Sequence, residues 1–183
     1  MRTRGHEVRE RLTEAAAELI VELGWSGVST RVLAERAGVT PGLVHYHFSS
    51  LQALLTEAAV GALRRMVDGL GALLEQAQTP EDVVEHLTAT MSEHSGIDPM
   101  SLLVSETFLA TTRDAELRSA VAAVLADFRA GLSARFAELG VEAPEATAAV
   151  LASTVDGLLL HRALLPEPAA MTAVLRRIVA VRS

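Results

Sequence analysis

The sequence predicts an all-α fold of about nine helices. Apolar residues recur at intervals of three and four over long stretches, as they do on one face of a helix, and few stretches alternate as a strand does. Glycine, proline and hydroxyl residues separate these stretches, where helices begin and end. With 183 residues, of which 50% are hydrophobic, the chain can bury a sizeable core in one or two domains.

A long first helix is predicted from the apolar face that it would bury. The residues of this face are Val8, Leu12, Ala15, Ala16, Leu19 and Leu23. Gly24 ends the helix, and Trp25, the only tryptophan, lies in the connector that follows. Because a large aromatic side chain usually buries its area, we expect Trp25 to fill the small core of this region.

Two short helices follow, separated by a tight turn. Thr30 is expected to cap the first helix and Thr40 the second, and Gly38 supplies the left-handed residue between them. A small residue at the helix crossing (Ala34) and an aliphatic wedge in the second helix (Val44) are typical of a DNA-binding helix-turn-helix. The alternative is an ordinary helix hairpin, since alanine, glycine and valine are common residues.

The outward side of the second short helix is the predicted reading surface for DNA. Its side chains offer hydrogen bonds and an apolar contact to bases or backbone, and Arg31 is the best candidate for a charged contact. The predicted DNA-binding residues are Thr30, Arg31, Thr40, Gly42, Leu43, His45, Tyr46 and His47. For His45 and His47, a surface histidine without such a role is the alternative, and Phe48 is expected in the core.

These motifs occur together as one specific combination between Arg9 and about Leu55. They comprise the run from Ala15 to Gly24, Ser29-Thr30-Arg31, Leu33-Ala34, Ala37-Gly38-Val39, Gly42, Val44-His45-Tyr46-His47-Phe48 and Leu54-Leu55. In this combination the region resembles the DNA-binding domain of the TetR family of bacterial transcriptional regulators. The resemblance implies a DNA-binding domain over residues 1–49 and an effector-binding and dimerisation domain over residues 50–183. Two positions depart from the family: it usually has tyrosine where His45 stands, and a phosphate-contacting lysine where Leu51 stands.

The charge distribution is compatible with DNA binding, although the net charge is −7. Residues 1–48 hold six arginines and six glutamates, whereas ten arginines face 17 acidic residues in the remainder. The whole excess of negative charge therefore lies after Phe48. Because an acidic surface repels a polyanion, we expect only the N-terminal region to meet DNA.

The composition argues against several kinds of site and location. Without cysteine, the chain has no disulfide and no thiolate metal site. No run of 18 apolar residues predicts a membrane span, and the charged N-terminus does not resemble a signal peptide, so we expect a cytoplasmic protein. His94, Asp98 and Glu106 lack metal-ligand spacing, and no metal or cofactor is expected. Phosphate-loop and nucleophile motifs, which would indicate an enzyme, are missing too.

Six further helices are predicted after residue 49. Their expected limits are about 50–76, 80–96, 98–112, 114–139, 144–165 and 168–181. The clearest start is Thr79-Pro80-Glu81-Asp82, where a cap and a proline precede acidic residues that favour the positive end of a helix. The junction between head and body is expected inside the fourth helix.

The last two helices are apolar on more than one side, whereas a surface helix needs only one apolar stripe. Burial on two sides predicts a two-fold homodimer, and the resemblance implies a four-helix interface from the same helices. The predicted interface residues are Ala149, Ser153, Leu160, Leu164, Leu175 and Ile178. Two heads about one turn of DNA apart (~34 Å) would then read a palindrome. The alternative is a monomeric bundle in which these helices are central.

The resemblance also implies a small-molecule site between residues 66 and 135. The predicted effector-binding residues are Met66, Leu70, Leu87, Met91, Val104 and Phe108, an apolar set whose methionines suit an adaptable pocket. Core packing is the alternative for each. The sequence thus predicts a dimeric repressor that binds a palindromic DNA operator and is released by an apolar effector. The alternatives are an all-helical enzyme and a helical adaptor with an incidental helix hairpin.

Overall fold

The computed structural model describes residues 4–164 and 169–180, and every regular element within these ranges is helical. The helices are α1 (Arg4–Leu23), α2 (Thr30–Arg36), α3 (Pro41–His47), α4 (Leu51–Gln76), α5 (Pro80–Ser92), α6 (Pro99–Thr111), α7 (Ala115–Glu138), α8 (Pro144–His161) and α9 (Ala169–Val179). A 3₁₀ turn, Trp25–Gly27, joins α1 to α2. The all-α prediction is confirmed. None of the described helices is long and apolar enough to cross a membrane.

Two helices end earlier than the sequence predicted. α5 ends at Ser92 rather than near residue 96, because the chain then turns around Asp98. The Asp98 carboxylate accepts the backbone N–H groups of Ser95 at 2.9 Å and of Ser101 at 3.1 Å, which closes this turn and caps α6. α8 ends at His161. The predicted helix limits at residues 165, 168 and 181 lie outside the described residues.

The described chain divides into two compact units. The head comprises residues 4–63 and 102–121, and the body comprises residues 64–101, 122–164 and 169–180. The division falls within α4, between Leu63 and Arg64. The reason is that the first half of α4 supplies four buried residues to the core of the head: Leu54, Leu55, Ala58 and Ala62.

The core of the head joins α1, α2, α3 and α4. Its fully buried side chains include Leu12, Leu19, Ile20, Leu33, Ala34, Val44 and Leu54. Leu103 of α6 belongs to the same cluster. Burial of these side chains, rather than helix propensity, holds the seven-residue helices α2 and α3 in place, since helices this short are marginal alone.

In the body, α9 packs against α5 and α8. α5 begins with a complete capping box, in which Thr79 accepts the Asp82 N–H and the Asp82 carboxylate accepts the Thr79 N–H. Bonds from the Gln78 and Thr79 backbone lower the pKa of Asp82. The predicted start of α5 is therefore confirmed. An Arg176–Glu85 ion pair also joins α9 to α5.

Candidate nucleic-acid interface

The start of α2 differs by one residue from the prediction. Ser29, not Thr30, is the N-cap: its backbone is extended and its hydroxyl accepts the Val32 N–H at 3.3 Å. Thr30 is the first helical residue and is half-buried. Its neighbour Arg31 is exposed and forms no ion pair with any described residue. Arg31 thus remains available to a phosphate group.

The turn between α2 and α3 has the predicted backbone. Gly38 is left-handed (φ 62°), and the Val39 N–H returns to the Ala34 carbonyl at 2.9 Å. Thr40 occupies the N-cap position of α3, but its side chain makes no capping hydrogen bond, so that part of the prediction is wrong. Pro41 fills the first helical position and has no N–H to satisfy.

One side of α3 anchors the helix in the head. Val44 is 1% exposed and Phe48, at the end of the helix, is also buried. Both belong to the same buried core as the small Ala34 of α2. The predicted wedge and the predicted core position of Phe48 are confirmed.

The opposite side of α3 is open to solvent. Tyr46 is 81% exposed, and Gly42, Leu43 and His45 are exposed as well. His47 is half-buried, and its ring meets the Tyr46 ring edge-on with centroids 5.1 Å apart. This side presents a phenol, imidazoles and one aliphatic side chain at the surface, which are groups able to contact base edges.

Two arginines of the head are occupied by its own carboxylates. Arg36 pairs with Glu22 at 2.6 Å and with Glu18 at 3.1 Å. These hydrogen bonds raise the pKa of Arg36 and lower that of Glu22. Arg9 pairs with Glu57 of α4. Charge counted from the sequence therefore overstates the number of cations that the head offers to DNA.

The comparison with known proteins gives the family. Residues 12–58 match the model "Bacterial regulatory proteins, tetR family", and residues 78–181 match the model "Tetracyclin repressor-like, C-terminal domain". The chain belongs to the TetR family of transcriptional regulators. The predicted resemblance is confirmed, and the alternative of an enzyme is ruled out, because this family and the relatives are transcriptional regulators.

Relatives of known sequence and structure support this TetR-family assignment. An uncharacterized HTH-type transcriptional regulator of Mycobacterium tuberculosis is 28% identical over 174 residues, covering 90% of this chain and 87% of its own. The regulator SCO7518 of Streptomyces coelicolor A3(2) has a TM-score of 0.82 and 30% identity, covering 96% of this chain and 99% of its own. The multidrug binding protein EbrR, solved with malachite green, has a TM-score of 0.68 and 27% identity, covering 94% and 98%.

This TetR-family head departs from the usual pattern at the start of α4. Leu51 is half-buried and packs against the core of the head, where the family usually has a phosphate-contacting lysine. The helix is capped instead by Ser50, whose hydroxyl accepts the Ala53 N–H at 3.0 Å. The position therefore contributes apolar packing and no positive charge.

The head also contains a cavity that the sequence did not predict. It has a volume of about 220 Å³ and is lined by Trp25, Ser26, Gln52, Glu106, Leu109, Ala110, Arg113 and Asp114. Trp25 is half-buried and lines this cavity, so its side chain fills the core of the head only in part. No local pattern pointed to this cavity, because its walls come from three distant stretches of the chain.

The predicted effector-binding residues are mostly buried. In the body, Leu70, Leu87 and Met91 are buried and Met66 is half-buried. In the head, Val104 is buried and Phe108 is half-buried. α4 and α5 are neighbours, since the His86 ring bonds the Leu73 carbonyl at 3.1 Å. A ligand site at these positions stays a prediction. The described residues contain no group of three or more side chains that could hold a metal ion.

The predicted dimer residues divide into two groups. Five of the six are exposed: Ala149, Ser153, Leu160, Leu164 and Ile178. Leu175 is buried within the body. Whether these six residues form an interface stays a prediction. The sequence alone did not distinguish the two apolar sides of α9.

Proposed function

We propose that this TetR-family regulator represses transcription as a homodimer bound to a palindromic operator, and that a small apolar effector releases it. The observation that carries the proposal is the two-sided character of α3. Its inner side is fixed by Val44 and Phe48, and its outer side leaves Tyr46 almost fully exposed. An operator-bound regulator acts where the chromosome is, so we place the protein in the cytoplasm.

The outer side of α3 would enter the major groove and read bases. Tyr46 and His45 offer hydrogen bonds to base edges, and Leu43 offers an apolar surface to a thymine methyl group. Gly42, at the start of the helix, permits close approach to the backbone, with Thr40 beside it. His47 is half-buried and would contribute at the edge of the site.

The start of α2 would bind the phosphate backbone. Arg31 is exposed and unpaired among the described residues, and Thr30 lies beside it in the first turn of the helix. Phosphate contacts fix the position of a protein on the duplex, and base contacts supply its specificity. The two helices therefore have complementary tasks.

An exposed stripe on α8 supports the homodimer. Along one side of this helix, exposed small and apolar residues follow one another at helical spacing: Ala146, Ala149, Val150, Ser153 and Leu160. Leu164 is exposed in the turn that follows the helix. On α9, Val174 and Ile178 are exposed too. A helix that is apolar on its inner and outer sides needs a covering partner, and a two-fold pair of identical chains is the commonest solution.

Apolar residues of α4 and α5 support a small-molecule site in the body. Met66, Leu70, Leu87 and Met91 offer an apolar, adaptable lining. The structural relative EbrR has been solved with malachite green and with imidazole. A ligand releases the operator only if it binds the released conformation more tightly than the bound one.

DNA binding is tested by fluorescence anisotropy with labelled duplexes from the region upstream of the gene. The reference is a random-sequence duplex of equal length and base composition, at the same low salt. We expect the protein to bind at least one upstream fragment more tightly than the random duplex. Nuclease footprinting of that fragment should show two protected half-sites about 34 Å apart. Equal affinity for the upstream and random duplexes would contradict the proposal.

Dimerisation is tested by light scattering on the purified chain. We expect the mass of two chains for the wild type and of one chain for Leu164→Glu, because a buried unpaired carboxylate is costly at an interface. Leu164 is 80% exposed in the single protomer. The matched control is Leu109→Glu, an exposed leucine of the head that should leave the mass unchanged. If the wild type has the mass of one chain, the proposed homodimer is wrong.

Effector release is tested on the operator complex with a panel of apolar compounds and, separately, with the cationic aromatic dye malachite green. We expect a compound that binds the protein to lower the affinity of the protein for the operator. The Met66→Ala variant should bind that compound more weakly. The half-buried Met100, outside the proposed lining, provides the control Met100→Ala. A compound that binds tightly and leaves operator affinity unchanged would contradict release by an effector.

A further inference from the structure

We propose that Arg9 of α1 is a positioning residue for DNA recognition, because its guanidinium joins the C-terminal end of α3 to α4. Arg9 Nη1 donates a hydrogen bond to the His47 carbonyl at 2.8 Å. Its Nε donates to Glu57 Oε1 at 2.8 Å, and its Nη2 donates to Glu57 Oε2. The same guanidinium lies over the Phe48 ring, 4.2 Å from the centroid. One side chain thus contacts three neighbouring points.

The C-terminal end of α3 needs such a contact. A helix leaves its last four carbonyl groups without intrahelical partners, and α3 has only seven residues. His47 is the last helical residue, so its carbonyl is one of these groups. Basic side chains satisfy such carbonyls and interact favourably with the negative end of the helix dipole. Arg9 supplies this from another helix.

Arginine suits this place better than lysine. Its planar guanidinium binds both oxygens of a carboxylate at once and stacks on an aromatic ring, while a further N–H remains for the carbonyl. The stacking distance is within the range of a cation–π contact. A lysine ammonium is a point charge and would reach only part of this set.

We expect Arg9 to fix the orientation of α3 rather than to raise the stability of the head. The Arg9 and Glu57 side chains are 41% and 43% exposed, and ion pairs this exposed contribute little to stability. Tyr46, however, immediately precedes the residue that Arg9 holds. A small change in the direction of α3 would therefore move the reading side chains relative to the bases while the head stays folded.

This role differs from that of a phosphate contact, which is the other task of an arginine near DNA. A phosphate contact needs only the charge, so lysine would replace it. Its loss would lower the slope of log affinity against log salt by about 0.9. A positioning arginine needs the planar guanidinium, which binds the carboxylate with two N–H groups and stacks on the aromatic ring. Its loss should weaken operator binding without changing that slope.

The inference rests on the proposed operator binding and is tested with Arg9→Lys and Arg9→Gln. Affinity for operator and random duplexes is measured by anisotropy across a salt series, with Arg65→Gln as the control. Arg65 is an exposed arginine in the body part of α4. We expect both Arg9 variants to lose about tenfold in operator affinity, equivalent to one or two hydrogen bonds, with affinity for random DNA and the salt slope unchanged.

Two results of this experiment would overturn the inference. Arg9→Lys at wild-type affinity together with a shallower slope for Arg9→Gln would make Arg9 a phosphate contact. If both Arg9 variants bind the operator with wild-type affinity, Arg9 has no role in DNA recognition. If the wild type itself shows no operator preference, the proposed function fails instead, and a second measurement still tests the positioning.

That second measurement uses protein without DNA. Amide resonances of α3 are compared in the wild type, Arg9→Lys and Arg65→Gln. We expect Tyr46, His47 and Phe48 to shift in Arg9→Lys only, with circular dichroism unchanged. Unshifted α3 resonances in a folded Arg9→Lys would overturn the inference without reference to DNA.

Discussion

The backbone N–H of Trp25 donates a hydrogen bond of 2.8 Å to the carboxylate of Glu106, 81 residues further along the chain. The contact joins the 3₁₀ turn after α1 to α6 within the head. Two further hydrogen bonds extend this contact: the Trp25 indole N–H donates to the Gln52 side-chain carbonyl, and the Gln52 amide donates to the Asp114 carboxylate at the start of α7. These bonds border the 220 Å³ cavity and hold together parts of the head that are distant in sequence.

Replacing Glu106 with alanine should loosen this corner of the head. The half-buried Trp25 N–H would lose its acceptor, and we expect a loss of about 1 kcal/mol in the free energy of unfolding. Because Trp25 is the only tryptophan, its emission should move to longer wavelength as the indole gains solvent. Chemical denaturation and fluorescence check both effects. Glu75→Ala, at an exposed site on α4, is the control, and unchanged emission in Glu106→Ala would contradict the prediction.

Tyr46→Ala should weaken operator binding while leaving the helical circular dichroism unchanged. Tyr46 packs on no core side chain, and a lost base contact weakens binding by about 1–3 kcal/mol, or roughly 5- to 150-fold. Anisotropy with the operator duplex measures the loss. Glu75→Ala, an exposed residue of α4, serves as the reference variant. Wild-type affinity in Tyr46→Ala would remove this residue from the interface.

Gly96→Ala should be strongly destabilising. Gly96 has a left-handed backbone (φ 83°), and an added Cβ would lie 2.4 Å from the Ala163 backbone nitrogen. Strain at such a position costs about 1–3 kcal/mol, and relieving the clash adds to it. Gly69→Ala is the matched control, because a Cβ within α4 meets nothing within 4 Å there. Alanine should stabilise that helix by up to about 1 kcal/mol. Thermal unfolding that ranks the two variants in the opposite order would refute the close approach.

Asp98 predicts an acid-dependent contribution to stability. Burial alone would raise its pKa, but hydrogen bonds from Ser101, His94 and two backbone N–H groups outweigh burial and lower it. A carboxyl with a lowered folded pKa stabilises the fold above its unfolded pKa of about 3.9 and loses that contribution as the pH falls towards the folded value.

The melting temperature of Asp98→Asn should therefore lie below that of the wild type at pH 7. The difference should begin to shrink as the pH falls below about 4. Calorimetry between pH 7 and pH 3 measures this, and Asp127→Asn, at an exposed position on α7, gives the background. A difference that stays constant down to pH 3 would exclude the charge of Asp98 as its source.

Local patterns predicted much of the fold because they act over three or four residues. The capping box at Thr79 and Asp82 marks the start of α5, and the helix-turn-helix spacing predicted Val44 as the buried wedge of α3. The cap of α2 was misplaced because Ser29 and Thr30 both carry hydroxyl groups. The choice depends on which residue keeps an extended backbone, and composition does not reveal this.

Contacts between distant residues were beyond local patterns. Nothing near Arg9 indicates that it reaches the His47 carbonyl 38 residues away, nor does any motif connect Trp25 to Glu106. The apolar character of α9 predicted burial on two sides without showing which residues face inward, and in the structure Leu175 is buried whereas Ile178 is exposed. Tertiary packing decides these points.

The internal pairing of Arg9 and Arg36 has a consequence for how the regulator finds its target. Each phosphate neutralised by a free cation releases counterions, and this release supplies most of the attraction to arbitrary sequence. With Arg9 and Arg36 paired internally, the head should dissociate from the rest of the chromosome more quickly than its number of arginines suggests. A cell would then need few copies to keep the operator filled, because competing sites would sequester little of the pool.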